Sequence, residues 1–195
     1  MKELVVVSGK GGTGKTSVVA ALAVQARRLV VADCDVDASN LHLILQPSVR
    51  QRHDFSGGKV ARIVPDLCTG CGTCEEVCRY DAVTRQPAGP HGEEVAFTIQ
   101  SLACEGCGVC AWFCPAGAIP FEPVVNGEWY VSDSRVGTML HARLGAGAEN
   151  SGKLVTLIRQ RARALAGEQL ADLLLVDGPP GIGCPVIASL SGADA

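Results

Sequence analysis

Leu4-Val5-Val6-Val7-Ser8-Gly9-Lys10-Gly11-Gly12-Thr13-Gly14-Lys15-Thr16 decides how this chain folds. Leu4 to Val7 is a short, continuous apolar run, the pattern of a parallel strand buried on both faces. Gly9 to Thr16 is a glycine loop, and Ser17 to Arg28 then places Val, Ala and Leu at helical spacing. Leu29 to Ala32 is a second apolar run, ending in Asp33-Cys34-Asp35. Strand, glycine turn, helix and strand in that order predict a βαβ unit and a parallel sheet.

Farther along, Leu41 to Leu45 reads as a short helical or strand-like piece before Pro47. From about Asp54 to Pro123 the composition shifts to Cys, Gly and Pro with turns throughout, which marks an inserted module. Glu128 to Ser132 looks like a strand returning to the parent sheet. Asn150 or Ser151 is placed to cap a helix that runs to about Ala166. Leu154, Leu157, Ile158, Ala162 and Leu165 line one face of it, with Arg159, Arg161 and Arg163 mostly off that face. Leu173 to Val176 is another buried strand, ending at Asp177. The expected organisation is a discontinuous α/β domain over 1–53 and 124–195, with the insert over 54–123.

Bulk properties narrow the classes. The 195 residues suffice for one medium domain and a small insert, and 47% hydrophobic residues allow a real core. Aromatics at 4% against 23 glycines favour tightly packed α/β layers. A net charge of −3 gives no electrostatic case for nucleic acid as partner. Met1-Lys2-Glu3 runs directly into the first strand with no signal peptide, and no apolar run approaches the ~20 residues of a membrane span. A cytoplasmic chain with no membrane partner is expected. Ten cysteines in such a chain argue for metal binding over disulfides.

Gly9 to Thr16 satisfies G-x-x-x-x-G-K-[ST] between a strand and a helix, the context that motif requires. Gly9, Gly11, Gly12, Thr13 and Gly14 let backbone N–H groups curl inward at phosphate oxygens, and the helix N-terminus, with Ser17, adds positive potential there. Lys15 is expected to reach the β- and γ-phosphates of a nucleotide, and the Thr16 hydroxyl to coordinate Mg²⁺. Asp33, Asp35 and Asp177 stand at strand ends, where a parallel sheet gathers its ligand crevice. Carboxylates there can hold Mg²⁺ through water or position an attacking water. Capping of a turn is the plainer use of such residues, above all for Asp37.

Eight of the cysteines form two runs, Cys68, Cys71, Cys74, Cys78 and Cys104, Cys107, Cys110, Cys114, each Cys-x-x-Cys-x-x-Cys-x-x-x-Cys and offset by a constant 36 positions. This spacing suits a [4Fe–4S] cluster, given twice. Zinc sites favour pairs of Cys-x-x-Cys with longer gaps. In two-cluster ferredoxins the fourth Cys of each run serves the other cluster. On that pattern one cluster takes Cys68, Cys71, Cys74 and Cys114, and the other Cys104, Cys107, Cys110 and Cys78. Pro115 follows the second run as in bacterial ferredoxins, whereas Arg79 stands at that place in the first. Cys34 and Cys184 read as buried packing groups. His42, His53, His91 and His141 show no ligand spacing.

Lys10, in Lys10-Gly11-Gly12-Thr13-Gly14-Lys15-Thr16, resembles the deviant Walker A loop of the MinD/ParA/nitrogenase-iron-protein superfamily. Asp33-Cys34-Asp35-Val36-Asp37 resembles its switch I segment, with Asn40 a further member. Asp177-Gly178-Pro179-Pro180-Gly181 resembles its Walker B and switch II, and Glu149-Asn150-Ser151-Gly152-Lys153 a further characteristic stretch. The whole order is similar to superfamily ATPases with an inserted bacterial-ferredoxin-like α+β domain. The resemblance implies a P-loop parallel sheet, a homodimer in which Lys10 crosses to the partner's nucleotide, Asp35 orienting the hydrolytic water, and Asp33 and Asp177 supporting Mg²⁺ and the switches. It also implies further strands beyond Ala195 that would hold the adenine, so a truncated chain with an uncovered sheet edge is expected.

Three functions follow as expectations. The first is an ATP-driven redox protein whose nucleotide switch gates electrons through two [4Fe–4S] clusters to an unidentified redox partner. The second is an ATP-dependent cluster carrier serving an apo-acceptor protein. The third is a nucleotide-dependent scaffold with structural clusters.

Overall fold

In the computed structural model, residues 1–86, 96–145 and 151–195 are described. His91, Glu149 and Asn150 fall outside them. Two compact units are present, one from residues 1–55, 126–145 and 151–195, the other from 56–86 and 96–125.

In the first unit, β1 (Lys2–Ser8) leads through the glycine loop into α1 (Lys15–Gln25), then β2 (Leu29–Asp33), α2 (Leu41–Leu45) and β3 (Ser48–Phe55). The second unit holds β4 (Gly58–Ala61), a single 3-10 turn at Pro65–Leu67, α3 (Thr73–Glu76), β5 (Val83–Gln86), β6 (Ala96–Ile99), α4 (Val109–Phe113) and β7 (Phe121–Val124). The chain then returns to the first unit with β8 (Gly127–Ser134), β9 (Gly137–Leu144), α5 (Ser151–Glu168), β10 (Leu173–Pro180) and α6 (Cys184–Leu190).

Among the described residues, six strands form one sheet in the order β1-β10-β2-β9-β8-β3. The sheet is mixed, which corrects the expectation of a parallel one. β1, β10, β2 and β9 run parallel, while β9-β8 and β8-β3 pair antiparallel. Alternation along the buried strands splits the core into two layers. Leu29, Val31, Met139 and Leu175 pack beneath α1 and α2 with Val19, Ala23, Leu41 and Leu45. Val30, Ala32, Leu140, Leu174 and Val176 face α5 with Leu154, Ile158 and Ala162. Beside β1, Ala195 N–H donates to Glu3 O at 3.3 Å and Val5 N–H to Ala195 O at 2.9 Å, a parallel pairing pattern.

The second unit has little apolar mass. β4 pairs with β7 and β5 with β6, both antiparallel. Ala61, Val83, Phe97 and Ile119 form its small core, and five of the run cysteines pack against or within it. A module so thin in core is of the kind that a thiol-bound metal group can stabilise.

Candidate functional site

The first unit gathers three of the expected carboxylates at the C-terminal ends of the adjacent strands β2 and β10. Lys15, in the first turn of α1, lies 2.5 Å from Asp177 Oδ1 and 3.4 Å from Asp35 Oδ2. All three side chains are buried. Gly12 and Gly14 reach φ of 75° and 86°, the left-handed region that lets the loop turn sharply into α1. Asp33, fully buried, accepts from the Ser39 hydroxyl at 2.7 Å and from the Asp35 N–H at 3.2 Å. Burial pushes the Asp33 carboxyl up to about 7, a rise that Ser39 opposes and the charges of Asp177 and Asp35 increase. Burial also raises the Asp177 carboxyl, with Lys15 and Thr16 opposing.

Asp177 Oδ2 is buried with no hydrogen-bond partner, and the Thr16 hydroxyl is among the groups that stabilise the Asp177 charge. A hard cation takes oxygen ligands of this kind, so Thr16 and Asp177 fit a Mg²⁺ site on donor chemistry. Lys10 is exposed, and its carbonyl accepts from the Ser8 hydroxyl at 3.0 Å and the Thr13 hydroxyl at 3.4 Å. Gly9, Gly11 and Ser17 are likewise exposed. Asn40 precedes α2 but makes no side-chain cap. Ser39 is the functional contact that sequence reading missed, because a serine six positions beyond Asp33 carries no spacing signal.

In the second unit the eight run cysteines separate around two clefts. Cys68, Cys71, Cys74 and Cys114 line one of about 320 Å³, walled by Ile63, Phe97 and Ile119. Cys104, Cys107, Cys110 and Cys78 line another of about 350 Å³, with Tyr80, Val83 and Ile99. The fourth thiol of each run thus lies at the other run's cleft. Among the described residues, no three Cys, His, Asp or Glu side chains converge on one point as a single metal ion requires. Four thiols set around a cleft instead suit a polynuclear cluster, so the donor set fits [4Fe–4S]. Burial raises the Cys110 thiol, and the neighbouring charges of Cys104, Cys107 and Cys78 add to this.

A further regularity is visible in sequence: both runs read Cys-x-Gly-Cys-Gly-x-Cys. Gly70, Gly72, Gly106 and Gly108 all have positive φ. At Gly106 a Cβ would stand 2.2 Å from the Lys59 carbonyl, so only glycine fits there.

Of the two outlying thiols, Cys34 is buried and held far above its ordinary range by that burial, as a packing group should be. Cys184 is exposed at the start of α6, which corrects its reading as buried. No helix among the described residues is long and apolar enough to cross a membrane.

Fold and sites together define a class: a phosphate-loop α/β protein that carries an inserted cysteine-rich module. Within it, residues 67–118 match the model of the 4Fe-4S dicluster domain. The chain is 33% identical over 196 residues to the uncharacterized protein MJ0578 of Methanocaldococcus jannaschii, covering 98% of this chain and 64% of that one. It also resembles the cell division ATPase MinD of Pyrococcus furiosus, at a TM-score of 0.40 and 16% identity over 97% of this chain and 54% of that chain. The chain therefore spans less than two thirds of the length of either.

Proposed function

We propose that this protein binds and hydrolyses ATP and uses the resulting switch to govern electron transfer through two [4Fe–4S] clusters. The observation that carries the reading is the buried Lys15 lodged between Asp35 and Asp177, in a chain whose eight thiols surround two clefts.

Mg·ATP, when bound, supplies a phosphoanhydride whose terminal phosphate leaves to water. Lys15 has one ammonium and two competing sets of anions. Turning it toward phosphate withdraws the cation from Asp35 and Asp177, and the chain after β2 and after β10 must readjust to two uncompensated buried charges. Thr16 and Asp177 would hold Mg²⁺, which would supply positive charge beside the phosphates. Asp35, released from Lys15, orients the attacking water. Asp33 stays tied to Ser39 and fixes the end of β2. Gly9 to Gly14 and Ser17 present N–H groups to the phosphates, and Lys10 extends to the nucleotide of a second copy in a homodimer. The electron partner is a separate redox protein.

The test is an EPR-monitored redox titration of anaerobic, cluster-loaded protein with and without Mg·ATP, with Lys15→Met alongside. Nucleotide-dependent cluster potentials are expected in the native protein and absent in Lys15→Met. Identical potentials and electron-transfer rates in both conditions would sink the reading. ATP-dependent release of the clusters to an apo-acceptor would replace it with the carrier function.

A further inference from the structure

The 36-residue offset pairs Thr69 with Glu105 and Thr73 with Val109, flanking the second ligands Cys71 and Cys107. The pairing is also spatial. Thr69 and Thr73 line the first cleft, whereas Glu105 and Val109 line the second. Cys71 Sγ and Thr73 Oγ1 lie 3.5 Å apart. A cluster-ligating sulfur is a thiolate without a proton, so in that state the threonine hydroxyl is the donor of the pair. Val109 has no hydroxyl, and the Glu105 carboxylate has no proton to give.

One more difference points the same way. The Ala118 N–H donates to Cys114 Sγ at 3.3 Å, at the fourth ligand of the first cleft. Its counterpart Ala82 makes no such bond to Cys78 among the described residues. Tyr80 walls the second cleft where Ala116 walls the first, so an aromatic ring replaces a methyl group there. Lys59 has its ammonium over the Phe121 ring at 5.3 Å, and neither it nor Arg79, which follows Cys78, lines the second cleft.

Hydrogen bonds donated to ligand sulfur stabilise the more electron-rich reduced cluster, while a nearby carboxylate opposes reduction. We propose that the Thr73 hydroxyl on Cys71 makes the site of Cys68, Cys71, Cys74 and Cys114 the more easily reduced of the two. Electrons reaching this module then collect at that site. In the internal step, an electron received from a one-electron carrier protein leaves the second site, which is oxidised by one electron. The first site is reduced by one, and no proton or bond is transferred. Thr73 acts here through Cys71 and is a positioning residue. The inference rests on the two-cluster reading above.

The experiment is an EPR-monitored titration of anaerobically reconstituted protein and its Thr73→Val, Thr73→Ser and Val109→Thr variants, each first assayed for iron and sulfide. Two midpoints are expected in the native protein. Thr73→Val should lower only the upper one, by about a tenfold change in the one-electron equilibrium constant, ~59 mV. Thr73→Ser should restore it, and Val109→Thr should raise only the lower one. A Thr73→Val shift confined to the lower midpoint, or no shift in either, overturns the proposal. If Thr73→Val fails to hold iron, Val109→Thr decides alone: a rise in the lower midpoint supports the proposal and its absence overturns it. Native protein binding iron for a single cluster overturns the two-cluster reading itself, and iron analysis shows that before any potential is read.

Discussion

Asp81 adopts φ of 50° at the position where the second run's turn has Gly117 at φ of 61°. Arg79 replaces the proline of that turn, yet the left-handed residue persists, so both turns keep one shape from different side chains. The residues whose chemistry depends on spacing were legible: the eight cysteines, Lys15 and the strand-end aspartates. Histidine was less so. His141 stacks on Tyr130 at 4.9 Å and near His42 at 6.2 Å, and its Nε2 lies 2.9 Å from the Ser132 hydroxyl. Nothing in its neighbours along the chain announces that environment, because the partners arrive from α2 and β8. Burial, then the charge of His42, lowers its imidazole to about 4. An unfolded histidine binds protons from about pH 6.5 downward, whereas the folded one resists. Stability is therefore complete above about 6.5 and declines as pH falls toward 4, by on the order of 2 kcal/mol once its partial exposure is allowed for. Urea unfolding midpoints across that window should flatten in His141→Gln.

At the scale of the element, α5 shows what a helical pattern reveals and what it hides. Leu154, Ile158 and Ala162 are fully buried as their spacing requires. Arg159, read as lying off that face, is buried too. Its Nε lies 2.5 Å from Glu3 Oε1 on β1, and its Nη1 donates to the carbonyls of Ala188 and Ser191 at 2.9 and 2.8 Å. Arg163 reaches the other oxygen of Glu3. A polar pair that distant in sequence leaves no periodic trace, so apolar counting placed the arginine outside. Arg159→Leu strips one cation from a buried carboxylate and two carbonyls, and should cost about 3 kcal/mol in urea unfolding. An unchanged midpoint would show that Arg163 alone suffices. Two strands escaped for a related reason. Seven of the eight β3 residues are exposed, and β9 mixes Gly, Thr and His among its apolar positions, so neither presents the continuous run that revealed β1, β2 and β10. Missing them is what made the sheet look parallel throughout.

Across the whole molecule, the order of segments was readable because each boundary changes composition: glycine loop, cysteine runs, apolar strand, acidic end. The exchange of fourth thiols between runs was an expectation from ferredoxins, and each fourth thiol lies at the other run's cleft. It has a direct consequence. Cys78→Ser should empty the cleft lined by the later run and leave the one lined by Cys68, Cys71 and Cys74. The protein should then hold about half its iron, and the surviving EPR wave should still respond to Thr73→Val. A surviving wave indifferent to Thr73→Val would mean that each run completes its own site.

The chain leaves the sheet at Phe55 and rejoins it at Asn126, whose N–H donates to the Phe55 carbonyl at 2.9 Å; Gly127 then pairs with Phe55 in the β3–β8 ladder. The insert of about 70 residues thus occupies the place of a hairpin turn. Closing a flexible loop of that length rather than a two-residue turn costs about 3 kcal/mol of chain entropy. A folded insert with its two ends already held together removes most of that cost before β8 is laid down. Iron and sulfide, by ordering the insert, would therefore slow hydrogen exchange at the β3 and β8 amides, and cluster loading should be readable as protection at one edge of the sheet.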